Sequence, residues 1–206
     1  KLALTATVHA DRTGEPISPF IYGQFIEHLG RCIYGGIWAE MLEDRKFYYP
    51  ITADYDPYKG DLGGDFPGVG ASPGEIVGDA AGVAMIDEDS FVGEHTPRIN
   101  PGAGIRQNDL GVVAGKSYVG YAWLKATEGA ANAEIALVWG DGKDDRQTVQ
   151  ISGVGTEYAK YPFRFQAGAD TERAKLELRF AGSPCLVGTL SLMPADNVRG
   201  LRADTL

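Results

Sequence analysis

The chain has 206 residues, with 19 lysines and arginines against 28 aspartates and glutamates, and a formal net charge of −9. The cations are scattered and form no basic stripe, which excludes a phosphate-binding surface and with it a nucleic-acid partner. A hydrophobic fraction of 44% and a charged fraction of 23% are ordinary for a globular protein; no apolar run is long enough to span a bilayer, so no membrane is expected among its partners.

The elements are taken in chain order. The chain opens on Lys1 rather than Met, so a processed, trimmed or engineered polypeptide is expected. Residues 2–8 set Leu2, Leu4, Ala6 and Val8 against Ala3, Thr5 and Thr7, the alternation of a strand, before the turn "DRTGEP". One strand cannot stand alone, so residues 1–16 are expected to join a sheet made elsewhere. Residues 17–29 are almost continuously apolar and predict a strand covered on both faces. That strand ends in Glu27-His28, and a glycine-containing loop follows over residues 30–36. Residues 37–47 then predict an amphipathic helix, with Ile37, Trp38, Met41 and Leu42 on one stripe and Glu40, Glu43 and Asp44 opposite. Strand, loop and helix make residues 17–50 the first half of a βα unit.

Residues 51–82 are crowded with Gly, Pro, Asp and Tyr and hold no period, so they read as an irregular connection. From residue 83 to 194 the texture is all-β. "SYVGYAWLKA" (117–126), "AEIALVWG" (133–140), "QTVQIS" (147–152), "YPFRF" (161–165), "AKLELRF" (174–180) and "LVGTLSLM" (186–193) each have a strand's length, separated by turn clusters such as "GDGKDD". In "AKLELRF" the inward set is Ala174, Leu176, Leu178 and Phe180, and the outward set Lys175, Glu177 and Arg179, as in an antiparallel sandwich. Residues 195–206 break this pattern. Asp196 or Asn197 suits a cap, and Val198 and Leu201 predict a helix just beginning, a sign of a continuation. The chain therefore reads as multidomain, a complete sandwich inserted between fragments of another fold.

A carboxylate and an imidazole at the end of an apolar strand point to a site. Glu27 is either a substrate-binding carboxylate or a structural one paired with Arg31, and His28 either contacts the ligand or orients its neighbours. In the sandwich, Tyr121 and Trp123 are candidates for stacking on sugar rings. The competing reading puts Trp123 and Trp139 in the core, which the alternation favours. Cys32 and Cys185 lie far apart and give no zinc spacing, so both are expected to be buried thiols. No metal-ligand cluster appears, and no cofactor is expected.

"ISPFIYGQFIEHLGRCIYGGIW" resembles the N-terminal signature of the family 51 glycoside hydrolases, the α-L-arabinofuranosidases. "AGVAMIDEDSFVGEHTPRI", "GIRQNDLGVVAGKSYVGYAWLKA" and "SLMPADNVRGLRADTL" are similar to the inserted segment and the rejoining helix of its larger members. The resemblance implies a (β/α)8 barrel whose start is interrupted by a β-sandwich of the galactose-binding-like, carbohydrate-binding-module-like type. Residues 1–16 would give one strand to a flanking β-sandwich, and residues 17–29 would be the first barrel strand. Barrel sites lie at the C-terminal ends of the strands, where Glu27 falls. By that match Glu27 binds the arabinofuranose being cleaved.

Retention in this family uses two glutamates. No Asn-Glu-Pro-like motif occurs here, so no catalytic residue is expected in this chain, which alone should be inactive. The implied partners are an arabinose-containing polysaccharide or oligosaccharide, the remainder of the barrel in the same or a nicked chain, and a second copy in a homo-oligomer. A secreted or periplasmic location is favoured over a cytoplasmic one. Two alternatives stay open: a non-catalytic carbohydrate-binding module, and an endoglucanase of the same family.

Overall fold

The computed structural model describes residues 5–18, 21, 36–58 and 70–205. Among them ten strands follow in chain order: β1 (Gly74–Val77), β2 (Val83–Ile86), β3 (Thr96–Ile99), β4 (Gly104–Val112), β5 (Ser117–Ala126), β6 (Ala131–Val138), β7 (Arg146–Val154), β8 (Ala159–Gln166), β9 (Thr171–Gly182) and β10 (Cys185–Pro194). They pair antiparallel into two five-stranded sheets, β1-β4-β9-β6-β7 and β2-β3-β10-β5-β8. Alternation explains the packing. Along β9 the side chains of Ala174, Leu176, Leu178 and Phe180 are buried, and along β5 Tyr118, Ala122, Leu124 and Ala126 are buried. These inward rows meet in one apolar core between the sheets, the arrangement expected of a sandwich. Glu177 departs from the pattern. It is on the outward set yet buried, because Arg106 and Arg179 close over it at 3.6 and 3.8 Å.

The sandwich begins earlier than the texture of the sequence indicates. β1 lies within the stretch read as irregular, and it completes the first sheet by pairing with β4 from Gly74↔Gln107 to Val77↔Gly104. β10 runs through the middle of the second sheet and is buried from Cys185 to Leu192. One of its faces meets the core. On the other, Phe91 of the 87–95 loop packs over Gly188, and Glu40, from a segment that runs along the edge of the strand, reaches Ser191.

Two expected helices are absent. Residues 37–47 form no helix: Asp44 and Phe47 have φ of 48° and 59°, a left-handed conformation that a right-handed helix cannot contain. Tertiary hydrogen bonds hold this segment extended instead. Met41 N–H donates to Leu192 O at 2.9 Å and Leu190 N–H to Arg45 O at 3.1 Å, so the segment runs along β10 beyond the end of β3. At residues 195–205 the chain likewise makes no α-helix. Arg199 and Gly200 have φ of 54° and 87° and turn the chain so that Val198 bridges Leu201, and only a short 3-10 turn, Ala203–Thr205, follows.

The N-terminal strand expected over residues 2–8 is not formed in its described part: residues 5–8 are exposed and coiled. A strand needs a neighbour for its backbone groups, and none of the ten strands flanks this segment. Of the strand expected at 17–29, only residues 17, 18 and 21 are described; Ile17 and Ile21 are exposed. Glu27, His28 and Cys32 lie outside the described residues.

Candidate functional site

The outward face of the second sheet carries the unusual chemistry. Because β5 buries its even-numbered side chains, its odd-numbered ones, Val119, Tyr121, Trp123 and Lys125, project away from the core. On β8 the outward set is Lys160, Pro162 and Arg164, all exposed. Register places these in rows across the sheet. Trp123 lies between Lys160 and Thr189, Tyr121 between Pro162 and Ser191, and Val119 between Arg164 and Met193. Tyr121 and Trp123 are thus neighbours on one face, as their spacing predicts. The expectation that Trp123 is core is corrected: it is half-buried on the opposite side of the sheet from the core. Trp139 is partly buried and does pack against the core.

Trp123 owes its cover to the loop at 87–95. Phe91 stacks on it with ring centroids 4.7 Å apart and planes at 25°, and leans against Tyr158 at 5.0 Å. Gly188 makes room for this ring, since a Cβ there would sit 2.5 Å from Cβ of Phe91. Polar contacts pin the loop: the Lys125 ammonium meets Asp89 at 2.5 Å, and the Tyr158 hydroxyl donates to the Asp89 carbonyl at 3.0 Å. Burial pushes the Tyr158 phenol up to about 12 and the Cys185 thiol beneath also up to about 12. Both stay protonated at neutral pH, so Cys185 is an inert buried thiol rather than a nucleophile.

Tyr121 has different company. Nζ of Lys160 sits 4.0 Å from its ring centroid, and its hydroxyl accepts a bond of 3.2 Å from Nη1 of Arg45. Arg45 also lies 3.6 Å from Glu40. The Glu40 carboxylate is buried against the edge of β10, where it accepts from Ser191 Oγ at 2.6 Å, Leu192 N–H at 2.9 Å and Leu42 N–H at 3.2 Å. Burial raises its pKa above the ordinary 4.5, opposed by those hydrogen bonds and by Arg45. Asp44 is raised in the same way, with burial outweighing the bonds it accepts from the Tyr49 and Tyr48 N–H groups.

A groove of about 780 Å³ opens beside the 38–43 segment, lined by Trp38, Tyr118, Lys116, Asp170 and Glu172 among others. At its border the incoming and outgoing chains run side by side. Trp38 bridges Leu201 antiparallel, Ala39 N–H donates to Gly200 O at 2.9 Å, and Arg202 N–H donates to Ile37 O at 2.9 Å. Among the described residues no group of three or more His, Cys, Asp or Glu could hold a metal ion.

Several members of this face were not picked out by sequence reasoning. Lys160, Pro162 and Arg164 alternate with the buried Phe163 and Phe165, a legible period of two. Phe91 is a lone aromatic in an acidic loop, which is a weaker signal. Glu40 and Arg45 carried none, since a helical reading turned Glu40 to solvent.

Comparison with known proteins places this architecture. No family model matches the chain. An extracellular exo-α-L-arabinofuranosidase of Streptomyces chartreusis is 29% identical over 222 aligned positions, which cover 98% of this chain and 25% of that protein. The chain is similar to α-L-arabinofuranosidases along almost its whole length. An intracellular exo-α-L-arabinofuranosidase of Bacteroides ovatus is 68% identical over 35 residues, 17% of this chain and 7% of its own. The chain thus spans a quarter or less of the curated arabinofuranosidases it matches here. Among solved structures, an arabinose-bound α-L-arabinofuranosidase of glycoside hydrolase family 51 superposes with a TM-score of 0.60 at 16% identity, covering 87% of this chain and 30% of that one. A family 61 carbohydrate-binding module in complex with β-1,4-galactotriose covers 60% of this chain and 89% of its own, with a TM-score of 0.47 and 18% identity.

Proposed function

We propose that this chain is the N-terminal part of a retaining α-L-arabinofuranosidase that releases terminal arabinofuranose from arabinan- or arabinoxylan-type glycans. In this reading the sandwich is inserted into the start of a (β/α)8 barrel, and Glu27, with His28 beside it, binds the sugar being cleaved. Both catalytic glutamates belong to later barrel strands beyond this chain, and the remainder of the barrel is its obligate partner.

The observation that carries the reading is the pairing of residues 37–39 with 200–202. An inserted domain must leave and re-enter its host at one place. Here the two connecting segments are hydrogen-bonded antiparallel at the root of the sandwich. The similarity to an arabinofuranosidase over 98% of the chain supports the same host.

One observation favours an added carbohydrate-binding role for the sandwich, namely that Tyr121 and Trp123 project from its outward face rather than filling the core. The test is hydrolysis of an aryl α-L-arabinofuranoside by the polypeptide that carries this chain, with the first-formed anomer followed by proton NMR. Arabinose released with retained configuration is expected, and none from residues 1–206 alone. Cleavage of carboxymethylcellulose with no action on the arabinofuranoside would favour the endoglucanase instead, and activity of residues 1–206 alone would overturn the assignment of the catalytic pair.

A further inference from the structure

We infer that the outward face of the second sheet binds an anionic, uronate-bearing polysaccharide, with Tyr121 as the stacking ring and Lys160 and Arg164 as carboxylate partners. The inference rests on the proposed carbohydrate-binding role of the sandwich and names the class of glycan.

The chain carries a formal net charge of −9, and the large groove is lined by Asp109, Asp170 and Glu172 together with the ion pairs Lys116–Asp196 and Arg202–Asp204. Yet the outward side chains of β8 are two cations flanking a proline, and all three are exposed. Two other cations of this face are already matched, Lys125 by Asp89 and Arg45 by Glu40, and Arg98, in the row of Lys125 and Leu186, stands on the far side of β10 from β8. Lys160 and Arg164 have no carboxylate partner among the described residues. They are charges free to meet a ligand.

Position ties these charges to the aromatic ring. Lys160 rests its ammonium on the face of Tyr121 at 4.0 Å, a cation–π contact. A pyranose laid on that ring must displace the ammonium. A neutral sugar gives nothing ionic in exchange, whereas a uronate carboxylate takes the released charge as a charge-assisted hydrogen bond. Arg45 holds the phenol from its hydroxyl end, so the ring itself is already oriented. The neighbouring indole is closed by its stack on Phe91, which leaves Tyr121 as the open platform. Lys160 and Arg164 stand four residues apart on one strand, roughly 13 Å at the rise of a β-strand. One carboxylate does not bridge that distance, so two acidic residues of one polymer are the fitting ligand.

The test is affinity electrophoresis of the full polypeptide in gels with de-esterified homogalacturonan or the same polymer after carboxyl reduction, each compared with a polymer-free gel. Retention by the uronate polymer about tenfold stronger than by the reduced one is expected, equivalent to the step that one good ionic contact confers. The double variant Lys160→Gln/Arg164→Gln should lose that difference and Tyr121→Ala should weaken retention. Lys160→Arg/Arg164→Lys should keep it, as should Arg146→Gln on the first sheet. Equal retention by the two polymers, or undiminished retention of the double variant, would overturn the inference, as would an equal loss with Arg146→Gln. Hydrolysis of the aryl arabinofuranoside by the unsubstituted protein reads the enzymatic proposal separately. An active protein without uronate preference overturns this inference alone; retention without activity overturns only the enzymatic reading.

Discussion

Replacing Glu40 by alanine should be among the most damaging single changes outside the apolar core. The carboxylate has three donors in hydrogen-bond distance, Ser191 Oγ, Leu192 N–H and Leu42 N–H, and its side chain is 3% exposed. Removing it leaves the Ser191 hydroxyl and the Leu192 N–H buried without partners, at about 1–3 kcal/mol each. The expected loss is therefore about 3–5 kcal/mol, a large share of the stability of a single domain. Urea unfolding followed by far-UV circular dichroism measures it, with the slope checked for constancy.

Glu40→Gln is the discriminating control. Its amide oxygen can take the place of Oε1 and accept from both backbone N–H groups, and its NH2 can donate to Ser191. That variant should stay within about 1 kcal/mol of the parent, because a neutral isostere also escapes the cost of burying a charge. The pH dependence has a defined sign. With the folded pKa of Glu40 raised above 4.5, the folded state holds its proton to higher pH than the unfolded state. The parent therefore loses stability relative to Glu40→Gln as pH rises from about 4.5 through the folded value. A loss below about 1 kcal/mol for Glu40→Ala would refute the clasp, and an equal loss for Glu40→Gln would refute the claim that hydrogen bonding rather than charge holds it.

Three further outcomes follow from the same geometry. Gly188→Ala puts a Cβ 2.5 Å from that of Phe91, so the ring should leave Trp123, with a change in near-UV circular dichroism and a loss of about 1–3 kcal/mol; an unchanged tryptophan signal would contradict the stack. Gly120→Ala should cost at least about 3 kcal/mol, because its methyl group would collide with the Ser191 carbonyl and the Phe163 ring; near-parental stability would contradict that packing. Cys185, its thiol pushed up to about 12 by burial, should resist iodoacetamide in the native protein and react once urea unfolds it, as read by peptide mass; rapid native labelling would contradict the burial.

Alternation made most of the sandwich legible. The strand read at 117–126 has the observed bounds of β5, and the inward set of β9 was correct because a strand in a two-layer sheet exposes one face to each environment. What failed depended on distant partners. The stripe at 37–47 has helical spacing, yet β10 lies a long way off in sequence and supplies the hydrogen bonds that hold the segment extended. No local pattern reports such a neighbour. β1 and β3 are four-residue strands, too short for a period to register, and β3 contains Pro97. Tyr121 and Trp123 do share one face of β5, as a spacing of two requires, but which face turned inward depended on the opposing sheet. Reading Trp123 as core assigned the alternation of this strand to the wrong face, for the inward set is Tyr118, Ala122, Leu124 and Ala126, all buried.

The central claim concerns Glu27, and kinetics test it most directly. The polypeptide carrying this chain, with Glu27→Gln, is compared with the parent on an aryl α-L-arabinofuranoside. If the carboxylate holds the sugar through charged hydrogen bonds, kcat/KM should fall about tenfold to a hundredfold, with unfolding by urea unchanged. A kcat/KM equal to that of the parent would contradict the account.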